Sequence, residues 1–232
     1  MKLTETLRRS SAEIWKKIYD HPFVVELYRG DLPVQKFRYY IIQDYSFLIG
    51  ITKAFSLVVA KSHDYNLLKT ALELAYADAT IEMDNYKRLI PMIGLKLEDV
   101  LASEPAPTNY AYINHILVTC SLGTPLECLV SILPCFWTYM EIAEVNKKYI
   151  SNNRNEVYRK WIEAYLSKEY REATESLINI VDELWREGGS IARLNYIFKV
   201  SSRYEYMFWD MAYKLEKWKP ESGNNFREIG ET

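Results

Sequence analysis

Apolar positions recur at spacings of three and four residues almost from one end of this chain to the other, the period of an amphipathic helix rather than a strand. No segment of alternating apolar and polar residues flanked by turn signals breaks that pattern, so the fold class is all-α. The pattern predicts a first helix over 3–19. A short helix follows the string DHP, with Asp20 or His21 as cap and Pro22 at its first position, and stops at Gly30. The next begins at Pro33 and continues to about Lys61, and another spans 65–90 and stops at Pro91. ASEPAPTN is a loop, after which Thr108 or Asn109 caps a helix carrying residues 112–121. In GTPLE, Thr124, Pro125 and Glu127 form a capping box with proline at the first helical position, the strongest helix start in the chain. That helix runs to about Ile150, and further helices are expected over 154–166, 170–187 and 190–218. With no internal repeat or linker, one helical bundle accounts for residues 1–218, and the polar, glycine-bearing stretch 219–232 reads as a frayed tail.

Composition narrows the function classes. A chain of 232 residues buries about 70% of its unfolded surface. A charged fraction of 26% with net charge −2 offers no basic patch, so no nucleic-acid partner is expected. The apolar runs ILVTC and LVSILP are far shorter than the roughly 20 residues that cross a bilayer, and MKLTETLRRSSAEIW lacks a signal-peptide core. A cytoplasmic protein without a membrane partner is expected. Cys120, Cys128 and Cys135 form no CxxC pair and, without a secretory signal, read as free thiols. Nineteen tyrosines and 6 tryptophans against 8 glycines and 8 prolines predict long helices and a cavity lined by half-polar rings.

Two carboxylates fall inside apolar stripes. Tyr40, Asp44, Phe47, Leu48 and Ile51 share one helical face, which encloses Asp44. Phe198, Ser201, Ser202, Glu205, Phe208, Trp209 and Ala212 share another, around Glu205. A glutamate so placed has a raised pKa and can deliver a proton near neutrality. A structural role competes for both: Asp44 paired to an arginine or a tyrosine hydroxyl, Glu205 to Arg203 or a lysine. The further acidic group Glu73, Asp78, Glu82 and Asp84 would suggest a di-metal bundle, but no histidine stands three residues after a glutamate. Asp78 and Glu82 therefore read as a solvated face or a local packing pair, and no metal or cofactor is expected. A single axial histidine would leave no spacing signature, which keeps a haem-binding bundle as an alternative.

Pro134 stands about three turns into the helix that begins at Pro125. There it removes a backbone hydrogen bond and clashes with the Val130 carbonyl, at a cost of about 3 kcal/mol or more, so a bend is predicted. Cys128, Cys135, Tyr139 and Ile142 share a face of that helix. A cysteine commonly serves as a small buried hydrophobe, and that reading covers Cys120 and Cys128. Cys135 is set apart by the adjacent proline and by Tyr139 as a partner for the thiol or for a ligand.

The strings LPCFWTYMEIAE (133–144), WIEAYLSKEY (161–170) and YEYMFWDMA (204–212) resemble the TenA family, also called thiaminase II or aminopyrimidine aminohydrolase. HPFVVELYRGDLPVQKFRYYIIQDYSFL (21–48) and HDYNLLKTALELAYADATIEM (63–83) extend the likeness over almost the whole chain to about Trp218. The resemblance implies a haem-oxygenase-like fold without haem and a homotetramer. It also implies hydrolysis of the bond joining a pyrimidine methylene to the thiazolium of thiamine or to the amine of its breakdown product, giving 4-amino-5-hydroxymethyl-2-methylpyrimidine. By the same resemblance Cys135 is the nucleophile, Glu205 the carboxylate at ring nitrogen N1, and Asp44 the acceptor from the exocyclic amino group. Tyr139, Tyr165 and Phe208 match pocket positions, and Tyr112 brings a hydroxyl near the thiol. Phe47 departs from the family, whose members often carry there a tyrosine that polarises the cysteine. That departure supports a second reading, a pyrimidine-binding or regulatory protein with negligible turnover.

Overall fold

The computed structural model describes residues 2–185 and 190–219, which form helices and connecting turns with no strand among them. The N-terminal pattern divides into α1 (Leu3–Ser10) and α2 (Ala12–Tyr19), not one helix. The two halves are anchored on different partners, which explains the break at Ser11. Thr4 donates from its backbone N and its hydroxyl to Asp182 at 2.9 and 2.8 Å, whereas Trp15 Nε1 donates to Ser202 Oγ at 2.9 Å. In α3 (Pro22–Arg29), His21 is the cap and its Nδ1 accepts from the Phe23 N–H at 3.1 Å. Gly30 ends the helix at φ 92°, a left-handed conformation that glycine adopts without penalty.

The core is built on three long helices: α4 (Val34–Lys61), α9 (Pro125–Asn146) and α12 (Ile191–Lys214). By length and composition α4 and the run Pro125–Asn152 are apolar enough to cross a bilayer, which the short apolar strings had not suggested. Both are core helices: they bury Tyr40, Ile51 and Phe55 on one and Leu129, Ile132 and Ile142 on the other. Helix α9 packs against α12, α4, α8 (Pro107–Leu122), α10 (Glu156–Leu166) and α11 (Lys168–Trp185), so its residues stand at the centre of the bundle. It stays a single helix through Pro134, which is buried. The capping box at Thr124 forms as expected: Glu127 N–H donates to Thr124 Oγ1 at 3.2 Å and Thr124 N–H to Glu127 Oε2 at 2.9 Å.

The remaining differences from the periodicity are local. The expected helix over 65–90 is α5 (Tyr65–Ala77), a π-helical turn (Asp78–Glu82) and α6 (Met83–Met92), and it passes through Pro91. Pro91 falls in the last turn, where one lost bond matters little. A short helix, α7 (Leu97–Leu101), precedes the loop. Ala106, not Thr108 or Asn109, occupies the cap of α8, because Asn109 Nδ2 is drawn to the Gln43 backbone oxygen at 2.7 Å. Helix α9 gives way at Lys147 to a 3-10 segment ending at Asn152, and α12 ends at Lys214 rather than 218. The predicted end of α11 at 187 and nearly all of the tail lie outside the described residues.

The expectation of three free thiols is corrected: Cys120 and Cys128 are joined by a disulfide, and Cys135 alone is free. The turn at Gly123 and Thr124 folds α9 back on α8 and brings the two α-carbons within 4.4 Å, a proximity that redox-compartment reasoning does not see.

Candidate active site

The site lies where α4, α9 and α12 meet and is closed on one side by α10, α11 and the π turn. Asp44, Phe47 and Leu48 from α4 and Cys135, Phe136 and Tyr139 from α9 line an inner cavity. Asp78 and Glu82 from the π turn, Tyr165 from α10 and Tyr170 from α11 complete its wall. This cavity is small, about 30 Å³. It abuts a cleft of about 350 Å³ that shares Asp44, Leu48, Glu82 and Tyr165 with it.

Glu205, Tyr112 and Phe208 stand one layer behind the wall. Phe47 stands between the cavity and the rings of Tyr112 and Phe208, its centroid 4.9 Å from that of Tyr112 and 5.5 Å from that of Phe208. The structural alternative for Glu205, an ion pair with Arg203 or a lysine, is not what forms. Tyr112 Oη donates to Glu205 Oε1 at 2.6 Å and Thr138 Oγ1 to Glu205 Oε2 at 3.2 Å. Tyr139 does not reach the thiol either, because its hydroxyl pairs with that of Tyr40 at 3.1 Å. Tyr165 packs between Trp161 and Tyr139, with ring centroids 4.5 and 4.8 Å away, which fixes a flat aromatic side to the site.

Electrostatics set the resting protonation states. Burial pushes the Cys135 thiol well above its usual range, and the carboxylates Glu205, Asp44, Asp78 and Glu82 push it further. At neutral pH Cys135 is a thiol, and its nucleophilicity depends on losing the proton as it attacks. Burial raises Glu205 to about 7 against the opposing hydrogen bonds from Tyr112 and Thr138. Asp44 is raised well above the carboxylate range by burial and then by the charges of Glu82, Asp78 and Glu205. A proton donor matched to neutral pH thus stands near a neutral thiol.

Sequence reasoning missed several members of this site. Asp78 is only 3% exposed and accepts from the Thr52 hydroxyl, so it is not a solvated face. Burial raises Asp78 and Glu82 to about 7, with Asp78 adding to the effect on Glu82. The inward positions run 67, 71, 74, 78, 82 and 86, and the three consecutive steps of four from 74 to 86, with the π turn at their middle, keep Glu82 in line. Such turns recur at functional sites, and no local propensity announces them. Thr138 and Tyr170 were legible only as members of apolar faces. Glu73 and Asp84, from the same acidic group, are exposed and lie outside the site. Among the described residues no group of His, Cys, Asp and Glu is arranged to hold a metal ion. His21 is a helix cap, and His115 Nε2 pairs with Ser201 Oγ at 3.0 Å.

An all-helical bundle whose centre holds one free thiol and a carboxylic acid with a pKa of about 7 beside a tyrosine-walled cavity defines a class, a helical protein with a small-molecule site in its core. The chain belongs to the TENA/THI-4/PQQC family, whose profile matches residues 8–215. It is similar to the aminopyrimidine aminohydrolase of Halalkalibacterium halodurans, with 34% identity over 94% of this chain and 98% of the relative. It is also similar to the solved TenA homologue from P. horikoshii OT3, at 41% identity and TM-score 0.87 over 92% of this chain and 99% of that one. A more distant structure, a Shewanella denitrificans OS217 domain of unknown function, has TM-score 0.72 at 20% identity over 93% of each chain. It shows that the fold is haem-oxygenase-like.

Proposed function

We propose that this chain is an aminopyrimidine aminohydrolase: a hydrolase that cleaves the C–N bond at the pyrimidine methylene of thiamine or of its aminopyrimidine breakdown product. Its product is 4-amino-5-hydroxymethyl-2-methylpyrimidine, for thiamine salvage. The observation that carries the reading is the placement of free Cys135 and buried Asp44 on one cavity, with Glu205 behind it at a pKa of about 7.

A pyrimidine becomes electrophilic when protonated. Glu205 gives its proton to N1 while the Cys135 sulfur bonds to the ring carbon between N1 and the carbon that bears the methylene. The thiol proton replaces the one Glu205 gave up, with Tyr112, hydrogen-bonded to Glu205 at 2.6 Å, beside the route. Electrons from the exocyclic amino nitrogen, pushed through the remaining carbon–carbon double bond of the dihydropyrimidine, then expel the leaving group and form an exocyclic methylene. Water adds to that carbon, the C–S bond breaks, and the N1 proton returns to the protein. Asp44 accepts from the exocyclic amino group and fixes which ring edge meets the sulfur, while Tyr139 and Tyr165 bound the ring and Phe208 backs Phe47 from the layer behind. The test is product release by Cys135→Ser. The reading expects a loss of more than about 100-fold with an unchanged melting curve, and a wild-type rate in that variant would rule out sulfur attack.

Phe47 favours a second reading, a binding protein with negligible turnover, because no hydroxyl faces the thiol from that position. Tight pyrimidine binding without product over long incubation would select it. A homotetramer is proposed as well. It is supported by exposed apolar side chains on α5 (Tyr65 at 76%, Tyr76 at 70%) and α8 (Leu122 at 85%), and sedimentation equilibrium tests it.

A further inference from the structure

The site holds a carboxylate for which the steps above have no task. Glu82 lines the inner cavity beside Cys135, the 350 Å³ cleft, and a third space of about 70 Å³ walled by Asp78, Phe136, Ala164 and Tyr170. Among the described residues only Glu82 borders all three. A group expelled from a ring bound against Cys135 moves into one of the two outer spaces, so on either route it passes Glu82. The neighbouring Asp78 is engaged by the Thr52 hydroxyl, whereas burial and the charge of Asp78, with no hydrogen bond, set the protonation of Glu82.

The two leaving groups differ in what they require. A thiazolium departs with the electron pair of its C–N bond as a neutral thiazole and needs no proton. A primary amine must leave as ammonia, so its nitrogen has to hold one extra proton when the bond breaks; the ammonium carries it in water, but burial strips a charged amine of that proton unless a facing group holds or returns it. Glu205 cannot supply it, because its proton has gone to N1. We propose, resting on the hydrolase reading above, that Glu82 is the leaving-group acid. Its carboxyl proton passes to the amine nitrogen as the methylene C–N bond breaks, the bonding pair stays on nitrogen, ammonia departs, and Glu82 is left as a carboxylate. The proton is restored from the water that adds to the methylene. The same carboxylate, when charged, faces a cationic leaving group without taking part in its expulsion.

The prediction is a difference between substrates. Glu82→Gln keeps the size of the side chain and removes its acid. Its kcat/KM for 4-amino-5-aminomethyl-2-methylpyrimidine should fall by about 100-fold or more, the range of a lost general acid. For thiamine, or for the trimethylammoniomethyl analogue whose nitrogen also leaves without a proton, the loss should be at least about tenfold smaller than for the amine, and an unchanged melting curve certifies folding. Glu82→Asp keeps an acid one methylene further back, and its amine-to-thiamine ratio should lie between those of wild type and Glu82→Gln. Equal losses for both substrates would make Glu82 a structural or general binding residue and overturn the assignment. An unchanged amine rate would overturn it as well. A wild-type protein that turns over none of these compounds would instead overturn the hydrolase reading.

Discussion

Cys135 sits where four carboxylates oppose its ionisation, the reverse of a thiol paired with a histidine. Its reactivity therefore depends on where protons stand around it, above all on Glu205. The Glu205 carboxyl has a pKa of about 7, and it must be protonated to act on N1. Raising the pH through that value strips the acid, so kcat/KM is expected to decline above about pH 7. With thiamine as substrate, whose leaving group needs no proton, Glu205→Gln should lose about 10²–10⁴-fold at pH 6.5 and also lose the descending limb, which a pH series on both proteins would read. A limb that survives in the variant would assign the proton to another group. Phe47 offers the converse test. Its ring borders the cavity and packs on Tyr112, and a hydroxyl at its edge could donate to the sulfur as charge develops. Phe47→Tyr is expected to raise kcat several-fold with little change in KM, and a lowered kcat would mean that the added atom only crowds the cavity.

At the level of elements, legibility followed the range of the physics involved. The faces that enclose Asp44 and Glu205 could be read because three-to-four spacing is written in the sequence, and all seven positions of the Glu205 stripe are buried. The capping box at Thr124 was legible for the same reason: four consecutive residues carry it. Asp78 and Glu82 were not legible. Their burial depends on α10 and α11 covering the π turn, a contact between segments some eighty residues apart. The Cys120–Cys128 bond was missed because compartment reasoning overrode a spacing of 8 across a hairpin turn. That bond closes a short loop, so the chain-entropy account gives it about 2–3 kcal/mol. Reduction, or a Cys120→Ala/Cys128→Ala variant, should lower the urea midpoint by a corresponding amount while leaving turnover by Cys135 intact. A loss of turnover in parallel with stability would show that the hairpin positions the second half of α9.

For the whole molecule, the buried acids make stability depend on pH in an unusual direction. Asp78, Glu82 and Glu205 titrate near 7 in the fold, and their unfolded counterparts near 4. Between those values the unfolded chain holds fewer protons than the native one, so stability falls as pH rises. For Glu205 alone the loss is on the order of 3 kcal/mol. His21 and His115 act oppositely: burial lowers both to about 4, so below about pH 6.5 the unfolded chain binds their protons and stability rises with pH. Three carboxylates, joined by Asp44 whose shift has the same sign, outweigh two imidazoles, and above pH 6.5 only the carboxylates still titrate. The midpoint of urea unfolding should therefore decline from pH 5 to pH 7.5, most steeply at the upper end, and Glu82→Gln should flatten the decline. A midpoint that rises across that range would mean the acids ionise freely in the fold. A cationic ligand seated among these carboxylates favours their charged forms, so the midpoint gained on adding thiamine to the Cys135→Ser protein should be larger at pH 8 than at pH 5.5.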